Sequence, residues 1–253
     1  MIVTFLGTGT STGVPVPTCA CAVCRSEDPR DKRLRPSVLL AWDGATVLID
    51  TATDLRRQAL DHGLTRIDAV LYTHAHADHV FGLDELRLFN WRQGQAMPVY
   101  GSAVTLAAIR RTFWYVFEDV EAGGGKPILD LHEIDGPFEL LGREIVPVPL
   151  EHGRLRITGW RVGGFAYLTD VSAIPKSSYP LLAGLDLLVL SALRIRPHPT
   201  HMHLARALEE VAKIGARRTL LTHIAHEIAH AEVEATLPDG VHIAYDGLVA
   251  EVP

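Results

Sequence analysis

The sequence predicts an α/β protein in which two β-sheets pack face to face and outer helices cover them. Three observations carry that prediction. Short apolar runs of strand length recur through both halves of the chain, bounded by Gly, Pro and Asp. Helical patterns fall between these runs rather than after them. Of the 253 residues 47% are hydrophobic and 21% charged, which supplies a sizeable core, and no linker-rich tract divides the chain, so one domain over 1–253 is expected.

Residues 2–6 form the first strand, which runs into Gly7-Thr8-Gly9-Thr10-Ser11-Thr12-Gly13. That loop lacks the Gly-Lys-Ser/Thr ending of a P-loop, so a tight turn bringing backbone close to a site is preferred over a phosphate cradle. Residues 37–42 and 46–50 make a hairpin through Asp43-Gly44-Ala45. Asp50 ends an apolar strand, where an unpartnered carboxylate is costly. It is read either as support for metal ligands or as the cap of a helix over 53–62. After the apolar run 69–72, a helix is expected over 83–91 and a strand over 98–101. A second helix follows over 102–116, capped by Ser102, with Val104, Leu106, Ala107, Ile109 and Phe113 on its apolar face. Residues 121–127, with three consecutive glycines, read as flexible, either a loop over the pocket or a plain connector, with the connector preferred. Strands follow over 138–141, 145–150, 157–162 and 165–168, then a strand over 187–190, a helix over 201–214, a strand over 219–222 and a helix over 226–237. Strands over 241–245 and 248–252 close the chain around Asp246-Gly247.

Composition excludes some function classes. A net charge of −6 argues against a large basic surface for nucleic acid. The first residues lack the features of a secretory signal, and no run approaches the ~18 apolar residues of a membrane span. Three cysteines, all within Cys19-Ala20-Cys21-Ala22-Val23-Cys24, suit metal binding in a reducing compartment better than a disulfide framework. A soluble, cytoplasmic protein is expected.

The chemistry concentrates in Thr73-His74-Ala75-His76-Ala77-Asp78-His79. Imidazole and carboxylate are ligands for zinc, manganese or iron. In an extended segment His74 and His76 point the same way, and Asp78 and His79 follow where a helix can begin and look back at the same pocket. Three further candidates each follow a strand: His152 after Leu150, Asp170 after Leu168 and His223 after Leu221. A polar ligand just past a buried strand is held rigidly while facing a cleft.

This combination resembles the metallo-β-lactamase superfamily over nearly the whole chain. The resemblance implies an αββα sandwich with its active site at one sheet edge. It implies His74, His76 and His152 on one metal, Asp78, His79 and His223 on the second, and Asp170 bridging both. Such a set favours a dinuclear site and hydrolysis of phosphoesters or thioesters. Cys19-x-Cys21-x-x-Cys24 offers three thiolates to a tetrahedral zinc, and His226, three residues beyond His223, is the candidate fourth ligand. With Leu221-Thr222-His223-Ile224-Ala225-His226, this resembles the PhnP family of cyclic phosphodiesterases. That resemblance implies a structural zinc beside a dinuclear, manganese-preferring centre, a phosphoribosyl cyclic phosphate as substrate and a homodimer.

By the same resemblance His201 matches the family's additional active-site histidine, suited to contact phosphate and to protonate a leaving alkoxide. His201 and Asp78 are thus the candidate catalytic residues. His198 and His203 flank His201 with no assigned contact, Arg194 and Arg196 either offer positive charge to a phosphate or lie solvated at the surface, and His62, His132, His230 and His242 lack ligand spacing and read as structural. The expected activity is a metal-dependent phosphodiesterase working on a small, cyclic ribose diester through water activated by two metals, Mn or Zn. The rivals are a nuclease resembling tRNA 3′-processing enzymes, an oxidative enzyme resembling the pyrroloquinoline-quinone biosynthesis B protein, and a zinc-stabilised binding protein. About three metal ions per chain suit the hydrolase and one suits the binding module.

Overall fold

The computed structural model describes residues 1–119 and 125–253, so 121–124 of the expected connector lie outside the described residues. The strands of the first half are β1 (Ile2–Gly7), β2 (Ser37–Trp42), β3 (Ala45–Ile49), β4 (Ala69–Leu71), β5 (Met97–Gly101) and β6 (Leu129–Glu133). Those of the second are β7 (Phe138–Leu140), β8 (Arg143–His152), β9 (Leu155–Val162), β10 (Phe165–Leu168), β11 (Leu187–Ser191), β12 (Arg218–Thr222), β13 (Val241–Ile243) and β14 (Val249–Glu251). They form two seven-stranded sheets, ordered β14-β1-β2-β3-β4-β5-β6 and β13-β12-β11-β10-β9-β8-β7.

Alternation along the strands explains why the sequence shows continuous apolar runs. Val38 and Leu40, Val47 and Ile49, Phe165 and Tyr167, Leu187 and Val189 all face a shared core between the sheets. Leu39, Leu48 and Val70 face the opposite way, into a layer under the helices of the first sheet. Ala166, Leu168, Leu188 and Leu190 do the same on the second. A strand buried on both faces has no polar side to display, so its period of two disappears from the sequence. The result is the αββα sandwich that the sequence predicts.

The helices are α1 (Ala22–Arg25), α2 (Leu55–Asp61), α3 (Ala77–Val80), α4 (Leu86–Gln93), α5 (Ala103–Thr112), α6 (Trp114–Phe117), α7 (Leu204–Ile214) and α8 (His230–Glu234). None among the described residues is long and apolar enough to cross a membrane. The Asp43-Gly44 turn forms as expected, with φ of 46° and 81°, the doubly left-handed geometry that a two-residue hairpin requires.

Three helical expectations are corrected. The helix over 102–116 breaks at Phe113 into α5 and α6, and Val104 and Ala107 are exposed, so Thr105, Leu106 and Ile109 form the buried face. The helix over 201–214 begins only at Leu204, and that over 226–237 shrinks to α8. In both of the latter cases the lost residues include a histidine drawn into a polar cluster. The glycine loop takes the expected bland form. A side chain at Gly7 would overlap the Arg35 carbonyl, and Gly9 bridges to Ile224, joining the two sheets beside His223.

Candidate metal centre

The strands deliver the polar residues to one edge of the sandwich. Asp50 follows β3, Thr73 to His79 follow β4, His152 ends β8, Asp170 follows β10 and His223 follows β12. Asp50, Asp170 and His223 have φ of 61°, 59° and 59°. A left-handed backbone on a residue other than glycine is disfavoured, and here it turns each side chain off its strand into the same space.

There the side chains form two half-sites that share one carboxylate. Candidate ligand atoms of His74, His76, His152 and Asp170 lie within 4.8 Å of one another, as do those of Asp78, His79, Asp170 and His223. Asp170 Oδ2 faces His74 Nε2 at 3.7 Å, while Oδ1 faces His79 Nε2 at 3.3 Å and His223 Nε2 at 3.1 Å. Asp78 Oδ2 stands 3.4 Å from His79 Nε2 and 3.6 Å from His223 Nε2. Nitrogen and oxygen ligands about 2.0–2.1 Å from a tetrahedral ion are roughly 3.4 Å apart, so these spacings fit a ligand shell. Asp78 Oδ2, His79 Nε2 and His223 Nε2 are buried without a hydrogen-bond partner, which a bound cation would remedy.

A hydrogen-bond chain behind the half-sites orients the rings. The His79 Nδ1–H donates to Asp50 Oδ2 at 2.7 Å, leaving Nε2 to face the centre. Thr73 donates to Asp50 from its backbone N–H at 2.8 Å and from its hydroxyl at 2.7 Å. The same hydroxyl oxygen stands 3.0 Å from His74 Nδ1 and can accept its proton. Asp50 therefore sets one imidazole in each half-site, the support role expected of it; the helix-cap alternative falls, since Asp54 occupies the cap position of α2. His152 Nδ1–H donates to the Thr200 carbonyl at 2.7 Å, leaving its Nε2 for the centre. Such partners fix tautomer and aim, and their loss typically costs ~10–100-fold in metal affinity. Asp50→Asn should lower affinity at both half-sites by about that factor while the cysteine cluster keeps its ion, as metal titration with a competing chelator would show.

The field of the site matches. Burial works against the Asp170 anion, but the imidazoles of His223, His79 and His74 outweigh it and hold its carboxyl well below the usual carboxylate range. Burial likewise opposes charge on His79, yet Asp170, Asp78 and Asp50 raise its pKa well above the ordinary histidine value. His74 moves the other way, lowered by burial and then by His79. The centre thus gathers carboxylate charge around a space in which a cation would be stabilised.

The second cluster lies apart from this centre. Cys19, Cys21 and Cys24 Sγ stand 3.3, 3.5 and 3.5 Å from His226 Nδ1. Ligands at zinc–sulfur and zinc–nitrogen bond lengths would be about 3.5 Å apart. The Cys24 backbone N–H, as the largest influence, draws the Cys21 thiol down to about 6, whereas burial pushes Cys24 up to about 11. Ile224, between His223 and His226, is fastened to the glycine loop after β1: its N–H donates to the Thr8 carbonyl at 2.9 Å and its carbonyl accepts from Thr10 N–H at 3.1 Å.

His201 lies against the centre, its ring stacked on His223 with centroids 5.1 Å apart and 4.5 Å from that of His152. Burial, then the His223 imidazole, lowers its pKa to about 3. The His198 ring lies tilted against that of His201 with centroids 5.1 Å apart, and His203 precedes α7 without a capping bond. Arg196 pairs with Glu227 at 3.0 Å and Arg194 approaches the same carboxylate at 3.6 Å, so neither guanidinium is free. His132 and His242 pair with Asp130 and Glu234, His230 packs against the buried Arg33, and His62 ends α2. Thr73, the Thr200 carbonyl and Glu227 carried no signal in the sequence beyond adjacency to a histidine.

The family model of the beta-lactamase superfamily domain matches residues 45–224. A crystal structure of a diphosphatase from the PhnP family is 44% identical, covers 98% of this chain and 96% of that one, and superposes with a TM-score of 0.93. An octanoyltransferase of Porphyromonas gingivalis is 42% identical over 97% of this chain, which spans only 50% of that protein's length. A ribonuclease Z of Methanopyrus kandleri is 33% identical over 40% of this chain and 32% of its own.

Proposed function

Because this chain belongs to the metallo-β-lactamase superfamily, as a hydrolase of its PhnP family, we propose that it is a two-metal phosphodiesterase acting on a small diester, with a cyclic ribose phosphate as the specific substrate. The observation that carries this reading is the division of one carboxylate between two half-sites, Asp170 Oδ2 toward His74 and Oδ1 toward His79 and His223. His74, His76, His152 and Asp170 would hold one ion; Asp78, His79, His223 and Asp170 would hold the other. Bound there, two divalent ions supply positive charge to a phosphoryl group and make water nucleophilic near neutral pH.

The chain's own residues do the rest. Asp50, Thr73 and the Thr200 carbonyl keep the imidazoles aimed, so little reorganisation is needed when charge develops on phosphorus. Asp78 adds a second anion on the His223 side. His201, whose ring lies against those of His152 and His223, is neutral until substrate binds; it takes up a proton as the anionic phosphate enters and passes that proton to the departing sugar oxygen. Both half-sites draw on both sheets, which supports reading 1–253 as one domain. A thiolate cluster of this kind suits the reducing cytoplasm.

The octanoyltransferase name belongs to a protein of about twice this length, and all three cysteines here are committed to the second cluster, so no thiol stands at the centre for covalent acyl transfer. The net charge of −6 favours a small diester over a polynucleotide. Metal analysis tests the reading: about three ions per reconstituted chain are expected, two of them exchangeable by chelator with loss and recovery of turnover. A single ion per chain would overturn it. Cys21→Ser should remove one ion and lower the melting temperature, leaving diester turnover of the surviving folded protein within about twofold.

A further inference from the structure

We propose that Glu227 is a positioning residue for the loop that carries His201, holding the proton donor in place through Arg194 and Arg196; this rests on the phosphodiesterase reading above. His201 cannot hold itself. Its buried Nδ1 has no hydrogen-bond partner, so only ring stacking and the course of the backbone decide where the imidazole lies.

The backbone is pinned at both ends of the loop. Leu193 N–H donates to the Met202 carbonyl at 2.9 Å, Met202 N–H to Val171 at 2.6 Å, and Leu204 N–H to Arg194 at 2.8 Å. Between these anchors, one guanidinium holds the backbone at residues 196 and 197. Arg194 donates to the carbonyls of Arg196 and Pro197 at 3.1 and 2.9 Å. Glu227 closes the arrangement from outside, accepting from Arg196 Nε at 3.1 Å and from its terminal nitrogen at 3.0 Å, with Arg194 at 3.6 Å. Two parallel bonds of this kind fix direction as well as distance. Pro197 and Pro199 limit the conformations the segment could otherwise take.

Folding stability is not what this contact supplies. The Arg196 side chain is 75% exposed, and exposed ion pairs contribute little to folding. Placement is a different matter, because small displacements of a reacting group carry large rate penalties. Glu227 also adjoins His226 in sequence, so the clamp fastens the His201 loop to the turn that the cysteine cluster secures.

The test compares Glu227→Gln with the parent on a p-nitrophenyl diester and on an alkyl diester, both as metal-reconstituted protein. Turnover of the alkyl diester should fall about tenfold while that of the activated diester changes less than about twofold, since only the former needs a proton on its leaving oxygen. Glu227→Asp should recover part of the loss, and in a His201→Ala background Glu227→Gln should have no further effect. Amide hydrogen exchange should quicken across residues 195–201 and stay unchanged across 71–80. Equal loss on both diesters, or an undiminished effect without His201, overturns the proposal. If the parent hydrolyses neither diester, the phosphodiesterase reading falls instead, and the exchange arm still decides whether Glu227 holds the loop.

Discussion

Asp170→Asn is expected to reduce diester turnover by more than the ~10–100-fold typical of a lost supporting contact, and to leave at most one exchangeable ion while the cysteine cluster keeps its own. The reason is geometric. The two carboxylate oxygens face different half-sites, at 3.7 Å from His74 on one side and 3.1 Å from His223 on the other. An amide keeps one acceptor but turns an N–H donor toward the other half-site, and it removes the negative charge that both half-sites share. Asparagine is among the residues that tolerate the left-handed backbone found here at φ 59°, so the strand end should keep its course and the loss should be local. Metal content and kcat/KM, measured on the same preparation, check this. Full occupancy with near-parental turnover would contradict it.

His201→Ala should separate substrates by leaving group. Diesters with poor leaving groups should slow by ~10²–10⁴-fold, the range of a lost general acid, whereas activated diesters should slow far less. Metal content should hold, because His201 stands outside both candidate ligand sets. Its ring nonetheless lies within 5.1 Å of that of His223, so the metal measurement is needed beside the rates. Uniform slowing across leaving groups would mean that His201 binds phosphate rather than donating a proton.

Much of the site was legible because metal ligation leaves dense, characteristic residue patterns. His74, His76, Asp78 and His79 sit in one short stretch, and His152, Asp170 and His223 each follow an apolar run that forms a buried strand. The fold class was legible for a related reason, since strands covered on both faces become uninterrupted apolar segments. The failures have one physical cause in common. Residues 201–203 and 226–229 read as helix by local preference, but His201 packs on the centre and His226 faces three sulfurs, so the chain stays out of helix until the histidine has been placed. Val104 and Ala107 misled differently: apolar character at helical spacing selected the wrong face, and the buried one includes Thr105. The supporting contacts were out of reach, because the Thr200 carbonyl is a backbone group and Glu227 meets its arginine partners only through the fold.

Whether two half-sites sharing Asp170 cleave a phosphodiester is decided by the turnover of manganese- or zinc-reconstituted protein on one panel of substrates. The panel should contain cyclic ribose phosphates, linear diesters, diphosphate diesters, monoesters, thioesters and β-lactams. Turnover of diesters is expected, highest on the cyclic ribose phosphate. A preference for monoesters, thioesters or β-lactams would contradict it.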